Sequence, residues 1–266
     1  MISDKDAPIG IFDSGIGGLT VARAIGYTLP NESLIYLGDT ARVPYGTKSA
    51  ETILRYSMEC ADFLVQKRVK AVVVACNTAS AYALCDLQKK FKIPVIGVIE
   101  PGARAAARAS KMKSVGVIGT WGTISSNAYG KALTSIDEEI SVISKACPLF
   151  VSLAEEGWTD NEVARAAAER YLAGFKSESI DVLILACTHY PLLKDVIAGC
   201  MGDNVMLVDS AETTANSLED LLREKGLVSS GPGSREIYVT DLPAKFETMA
   251  KRFLGPIPSC VTRVDL

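Results

Sequence analysis

Short apolar runs alternate with longer amphipathic stretches along almost the whole chain. The runs lie at 9–12 (IGIF), 33–38 (SLIYLG), 70–75 (KAVVVA), 94–99 (PVIGVI), 114–119 (SVGVIG), 140–144 (ISVIS), 181–186 (DVLILA), 205–208 (VMLV) and 236–240 (EIYVT). They are near-continuous rather than alternating, which predicts parallel strands covered on both faces. Helical periodicity fills the intervals. It is clearest at 159–175 (TDNEVARAAAERYLAGF), where Thr159 or Asp160 can cap the start. Alternating strand and helix predicts an α/β fold with its sites at the carboxyl ends of strands.

The order of these pieces repeats. A strand followed by Asp13-Ser14-Gly15 is echoed by a strand followed by Gly119-Thr120-Trp121. Ala75-Cys76-Asn77-Thr78 is echoed by Ala186-Cys187-Thr188-His189, SLIYLGD by ISVIS, and GVIEPGARAA by MLVDSAETTA. Blocks recurring in the same order with nearly the same spacing predict two similar α/β lobes with mainly parallel sheets. An approximate two-fold would relate them, with the active site in the cleft between. The expected division is 1–97 plus 209–266 for a discontinuous first lobe and 98–208 for the second, the C-terminal stretch EIYVTDLPAKFETMAKRFLG returning to the first lobe as a strand and a helix.

Composition narrows the field. The chain has 266 residues, 48% of them hydrophobic and 22% charged, which suits a globular protein with a sizeable core. A net charge of −3 without a Lys/Arg run argues against a nucleic-acid partner. The start, MISDKDAPIG, lacks the basic and apolar regions of a signal peptide, and no apolar run approaches the roughly 18 residues of a spanning helix. A cytoplasmic protein without a membrane partner is the expectation. Seven cysteines (60, 76, 85, 147, 187, 200, 260) in such a chain predict free thiols rather than disulfides, and with no CxxC and a single histidine no metal site is expected. Cys60 and Cys85, both in helical stretches, read as small hydrophobes.

Cys76 and Cys187 read differently because of the repeat. Taken singly, each could be a small residue fitted under a strand-to-helix turn. Equivalent strand ends of two like lobes would instead set the two thiols on opposite sides of one ligand. Facing thiols suit the removal of a proton from one face of a carbon and its return on the other, which needs a base and an acid held in line. A free thiol titrates at about 8.5, and a helix N-terminus beside it is expected to lower that value. Asp13 and Glu155 are carboxylates available to steer the protons, and His189 is a natural partner for Cys187.

GIFDSGIGGLTV, YLGDTARVPYG, ACNTAS, GVIEPGARAA, GVIGTWGTI, CPLFVSLAEEG and ACTHYPLL together resemble the glutamate racemases of bacterial cell-wall synthesis over roughly residues 9–215. The resemblance implies a cofactor-independent isomerase that interconverts L- and D-glutamate and supplies D-glutamate for peptidoglycan. It also implies Cys76 and Cys187 as the catalytic pair, Cys76 acting on the D-enantiomer and Cys187 on the L-enantiomer. The matching motifs Asp13-Ser14, Tyr45-Gly46, Asn77-Thr78 and Thr188-His189 would bind substrate, and a homodimer is compatible with the family. Ser152 stands where the family usually has proline, just before the acidic pair, which leaves Glu156 open beside Glu155. The physical reading runs alongside. Ser14, Asn77, Thr78, Thr120 and Thr188 are neutral donors on strand-end turns that can hold two carboxylates with helix N–H groups, and Gly15, Gly17 and Gly18 allow close approach before a helix from Leu19.

Other readings fit less well. DSGIGGLT lacks the third glycine of a dinucleotide fingerprint, having Thr20 there, and sets Asp13 against a pyrophosphate. A cysteine hydrolase built on Cys187 and His189 would leave Cys76 unexplained. A pyridoxal enzyme would need a strand-end lysine. A non-enzymatic amino-acid-binding protein with two lobes is the rival of another class, and a racemase of aspartate or another acidic amino acid is the rival within the enzymes.

Overall fold

The computed structural model describes residues 4–242, 246–255 and 261–266. Cys260, the first three residues of MISDKDAPIG and the 243–245 part of the C-terminal stretch lie outside them. The chain begins with β1 (Ile9–Asp13), α1 (Leu19–Thr28), β2 (Leu34–Gly38), α2 (Ala50–Gln66), β3 (Ala71–Val74), α3 (Asn77–Lys90), β4 (Val95–Gly97) and α4 (Ile99–Ala109). It continues with β5 (Ser114–Gly119), α5 (Trp121–Ser125), α6 (Ala128–Ile136), β6 (Ser141–Ala146), α7 (Leu149–Glu156), α8 (Glu162–Ser177), β7 (Val182–Ala186), α9 (Lys194–Met201) and β8 (Met206–Asp209). Then come α10 (Ser210–Glu224), β9 (Arg235–Val239), α11 (Phe246–Leu254) and β10 (Val261–Arg263).

Two sheets result, and every pairing in them is parallel. One runs β10-β9-β2-β1-β3-β4 and the other β6-β5-β7-β8. The segment β2-β1-β3-β4 therefore has the same strand order as β6-β5-β7-β8, the topological form of the sequence repeat. β9 pairs with β2, so the chain after α10 returns to the first sheet. The central strands β1, β3 and β7 are buried at every position, and aliphatic side chains covered by helices on both faces explain their unbroken apolar runs. One continuous core joins the two sheets, with Ile9, Ile11 and Val73 of the first in the same cluster as Leu183 and Leu185 of the second.

Four local expectations are corrected. The run 94–99 is a strand only to Gly97: the Val98 N–H donates to Ser80 Oγ at 3.3 Å, and α4 starts at Ile99. β6 is not covered on both faces. It is an edge strand whose Ser141, Ser144 and Lys145 are exposed. The helix expected over 159–175 spans Glu162–Ser177, capped by Asn161, whose Oδ1 accepts from the Ala164 N–H at 2.9 Å, and not by Thr159 or Asp160. Cys60 is buried as a small apolar residue would be, whereas Cys85 is exposed on the outer side of α3.

Candidate active site

Each half delivers its chemistry at a strand end. β3 runs into Cys76, the N-cap of α3, whose Sγ accepts from the Ala79 N–H at 3.4 Å. β7 runs into Cys187-Thr188-His189, followed by a one-turn 3-10 segment, Tyr190–Leu193. β1 ends at Asp13, and β5 is followed by Thr120, whose hydroxyl caps α5 by accepting from the Thr123 N–H at 3.3 Å. Parallel sheets place all these ends on the same side, and the two sheets bring them to one pocket. Cys76 and Cys187 both line it, with Ser14, Tyr45, Gly46, Asn77, Thr78, Thr120, Glu155, Thr188 and His189.

The two thiols have unlike surroundings. The Cys76 thiol donates to Ser14 Oγ at 3.5 Å. Burial, and after it the negative charge of Asp13, push its pKa up to about 12 against the pull of the Ser14 and Ala79 hydrogen bonds. The expectation of a lowered thiol at this helix N-terminus is therefore corrected for Cys76: desolvation and a carboxylate outweigh the single backbone donor. Asp13 itself is buried beneath the pocket rather than in its wall. Its Oδ2 accepts from the N–H groups of Gly15 and Gly18 at 3.1 and 3.0 Å, and its Oδ1 has no partner among the described residues. Burial raises its pKa, opposed by the charge of His189 and by those N–H bonds.

Cys187 faces the imidazole of His189 instead. Its Sγ lies 3.9 Å from His189 Nδ1, and His189 Nε2 lies 3.0 Å from Glu155 Oε1. Burial works against a charged imidazole, but the hydrogen bonds to Cys187 and Glu155 prevail and raise its pKa to about 10. Both ring nitrogens of the imidazolium then act as donors, one toward each partner. Glu155 sits in the last turn of α7, closed by Gly157 in the left-handed conformation (φ 76°). Glu156 is exposed, and it is Glu155 of the acidic pair that meets His189. The C-terminal helix backs this arrangement. The Phe253 ring meets that of His189 edge-on at 5.1 Å, and the Arg252 guanidinium donates to the Glu155 carbonyl oxygen.

Polar groups from both sheets meet across the pocket. Thr78 Oγ1 lies 2.9 Å from Thr120 Oγ1 and 3.0 Å from Thr123 Oγ1, and Asn77 Nδ2 is buried without a partner among the described residues. Gly17 leaves no room for a side chain against the loop after β7. A Cβ there would come within 2.3 Å of Thr188 Oγ1 and 2.4 Å of His189 Nδ1. Tyr45 lines the pocket but turns its hydroxyl away, donating to Asp39 Oδ2 at 2.5 Å. Sequence reasoning missed Thr123, Val43, Pro44 and Val151 among the lining residues. Thr123 carried a signal, since TWGT spaces it as the capped residue after Thr120. The others owe their places to tertiary packing. No group of three or more His, Cys, Asp or Glu side chains that could hold a metal occurs among the described residues.

Comparison with known proteins agrees with this architecture. The family model for Asp/Glu/hydantoin racemases matches residues 18–218. A glutamate racemase from Geobacter metallireducens is 57% identical over 260 residues, covering 97% of this chain and 96% of that protein. The crystal structure of a glutamate racemase isoform from Bacillus anthracis superposes with a TM-score of 0.95 at 44% identity, covering 98% of both chains. The glutamate racemase of Francisella tularensis, solved in complex with D-glutamate, superposes at 0.93 with 41% identity over 98% of both chains. With two parallel sheets in the same strand order and two strand-end thiols on one pocket, the chain belongs to the Asp/Glu/hydantoin racemase family.

Proposed function

We propose that the protein interconverts L- and D-glutamate without a cofactor by moving the α-proton between two thiols. The observation that carries this reading is that Cys76 and Cys187, at the ends of the corresponding strands β3 and β7, line the same pocket. From L-glutamate, Cys187 as thiolate takes the α-proton and the neutral Cys76 thiol gives its own to the opposite face. Inversion leaves a Cys187 thiol and a Cys76 thiolate, and proton exchange with solvent restores the start. The surroundings of the two thiols suit this direction. Cys76 is held protonated by burial and Asp13, while the charged His189 faces Cys187. In reverse, Asp13 and Ser14 serve the Cys76 side.

The α- and γ-carboxylates fall to neutral donors: the Asn77 amide, the hydroxyls of Ser14, Thr78, Thr120 and Thr188, and N–H groups of Gly46 and the helix starts. Neutral donors hold an anion without adding a second buried cation beside His189 when product departs. The D-glutamate formed would supply peptidoglycan synthesis in the cytoplasm. Among the described residues no helix is long and apolar enough to cross a membrane. The proposal divides the chain into a lobe of 1–97 with 209–266 and a lobe of 98–208, substrate binding between them, and allows a homodimer. Purified protein incubated with L-glutamate, without added metal or pyridoxal phosphate, is expected to yield D-glutamate on chiral chromatography. Faster inversion of L-aspartate would move the assignment to the sister activity. Binding of either amino acid without inversion would make this a binding protein.

A further inference from the structure

The carboxamide of Asn77 faces two ways. Its Oδ1 accepts a 2.7 Å hydrogen bond from the Tyr129 hydroxyl, while its Nδ2 is buried at the pocket with no partner among the described residues. An amide has one accepting and one donating end, and the bond made by one end decides where the other points. Tyr129 is built to make that decision. It lies on α6 in the core of the second sheet with Val115, Val117 and Ile184, 2% exposed, and reaches across to the start of α3. Burial first, then the charges of Asp209 and Cys187, hold the phenol protonated. The phenol has one proton to give, and it goes to Asn77.

We infer that Tyr129 is a positioning residue for substrate binding: its phenol fixes the Asn77 amide so that both Nδ2 hydrogens face a substrate carboxylate. The inference rests on the functional reading above. Without the phenol the amide turns over and sets its own oxygen against the carboxylate, which weakens binding while leaving both thiols in place. Because the bond joins α6 to α3, it also makes the Asn77 subsite complete only when elements of both sheets are in contact.

Four proteins test it: wild type, Tyr129→Phe, Asn77→Ala and the double variant, assayed for racemisation of L-glutamate with thermal melts alongside. Tyr129→Phe is expected to lower kcat/KM ~10-fold, mainly through KM, and to add less than ~2-fold in the Asn77→Ala background, since it acts through that amide. An undiminished loss in that background, or no loss in the single variant, overturns the inference. A wild type that binds but does not racemise glutamate overturns the functional reading instead. The 15N signals of the Asn77 side-chain amide then decide the matter without an activity. A locked amide pair in wild type that begins to exchange in Tyr129→Phe supports the role, and an unchanged pair overturns it. If Tyr129→Phe does not fold, 3-fluorotyrosine at 129 strengthens the same donor. It is expected to shift the Asn77 amide signals, and an absence of shift overturns the inference.

Discussion

His189 Nε2 lies 3.0 Å from Glu155 Oε1 while Nδ1 of the same ring faces Cys187 Sγ at 3.9 Å. The imidazole thus links a half-buried carboxylate on α7 to a thiol at the end of β7. This one relationship explains why the only histidine of the chain keeps its charge in a buried place.

Its pH consequence has a definite sign. The folded pKa of His189 is raised from 6.5 to about 10, so the stability its charge contributes is fully present below 6.5 and lost as pH rises through about 10. Glu155→Gln removes one of the two supports and moves the folded pKa down. Thermal melts of Glu155→Gln against wild type should therefore lose their difference as pH approaches 10, and the alkaline limb of kcat/KM should shift to lower pH. A limb that stays in place would detach Glu155 from the titration.

The thiols are separable from the other cysteines. Cys76→Ser and Cys187→Ser are each expected to lower racemisation by ~10²–10⁴-fold, the usual scale for a lost acid or base. Cys85→Ala, on the exposed side of α3, should leave kcat within ~2-fold, and Cys60→Ser should act mainly on stability through its buried contacts with Tyr45 and Arg42. Equal losses for Cys60→Ser and Cys187→Ser would undo the pairing.

Sides can be assigned through the steering residues. Because the equilibrium constant of a racemase is one, any variant must change kcat/KM equally in both directions, and asymmetry shows in kcat. His189→Asn should reduce kcat from L-glutamate more than from D-glutamate, and Asp13→Asn the reverse, since Asp13 acts on Cys76 and His189 on Cys187. Equal loss of kcat in both directions for both variants would discard the assignment.

The contact at Gly17 gives a steric test. Its added Cβ would fall 2.3 Å from Thr188 Oγ1 and 2.4 Å from His189 Nδ1, so Gly17→Ala must push back the loop after β7. A destabilisation of about 1–3 kcal/mol in denaturant melts is expected, with a larger loss of activity than of stability. Wild-type kinetics in Gly17→Ala would mean that the loop moves freely.

Much of this was legible in the chain, because strands buried on both faces leave unbroken apolar runs and a repeat in sequence became a repeat in strand order. Both thiols, Asn77-Thr78 and Thr188-His189 were found because each directly follows such a run. What failed was either locally ambiguous or decided from afar. Thr159-Asp160-Asn161 offers three capping residues in a row, and only the backbone at Asn161 selects one. The level of the Cys76 thiol depends on burial and then on Asp13, a neighbour supplied by another strand. Tyr129 and Phe253 reach Asn77 and His189 from helices with no motif of their own.

The two-thiol transfer is tested most directly by running L-glutamate in D2O and analysing both enantiomers at early times. Because the Cys76 thiol exchanges with solvent before it delivers, the account predicts deuterium at Cα of the D-glutamate formed, with little in the remaining L-glutamate. Deuterium entering unreacted L-glutamate as fast as product would contradict it, since that is the mark of a single base serving both faces.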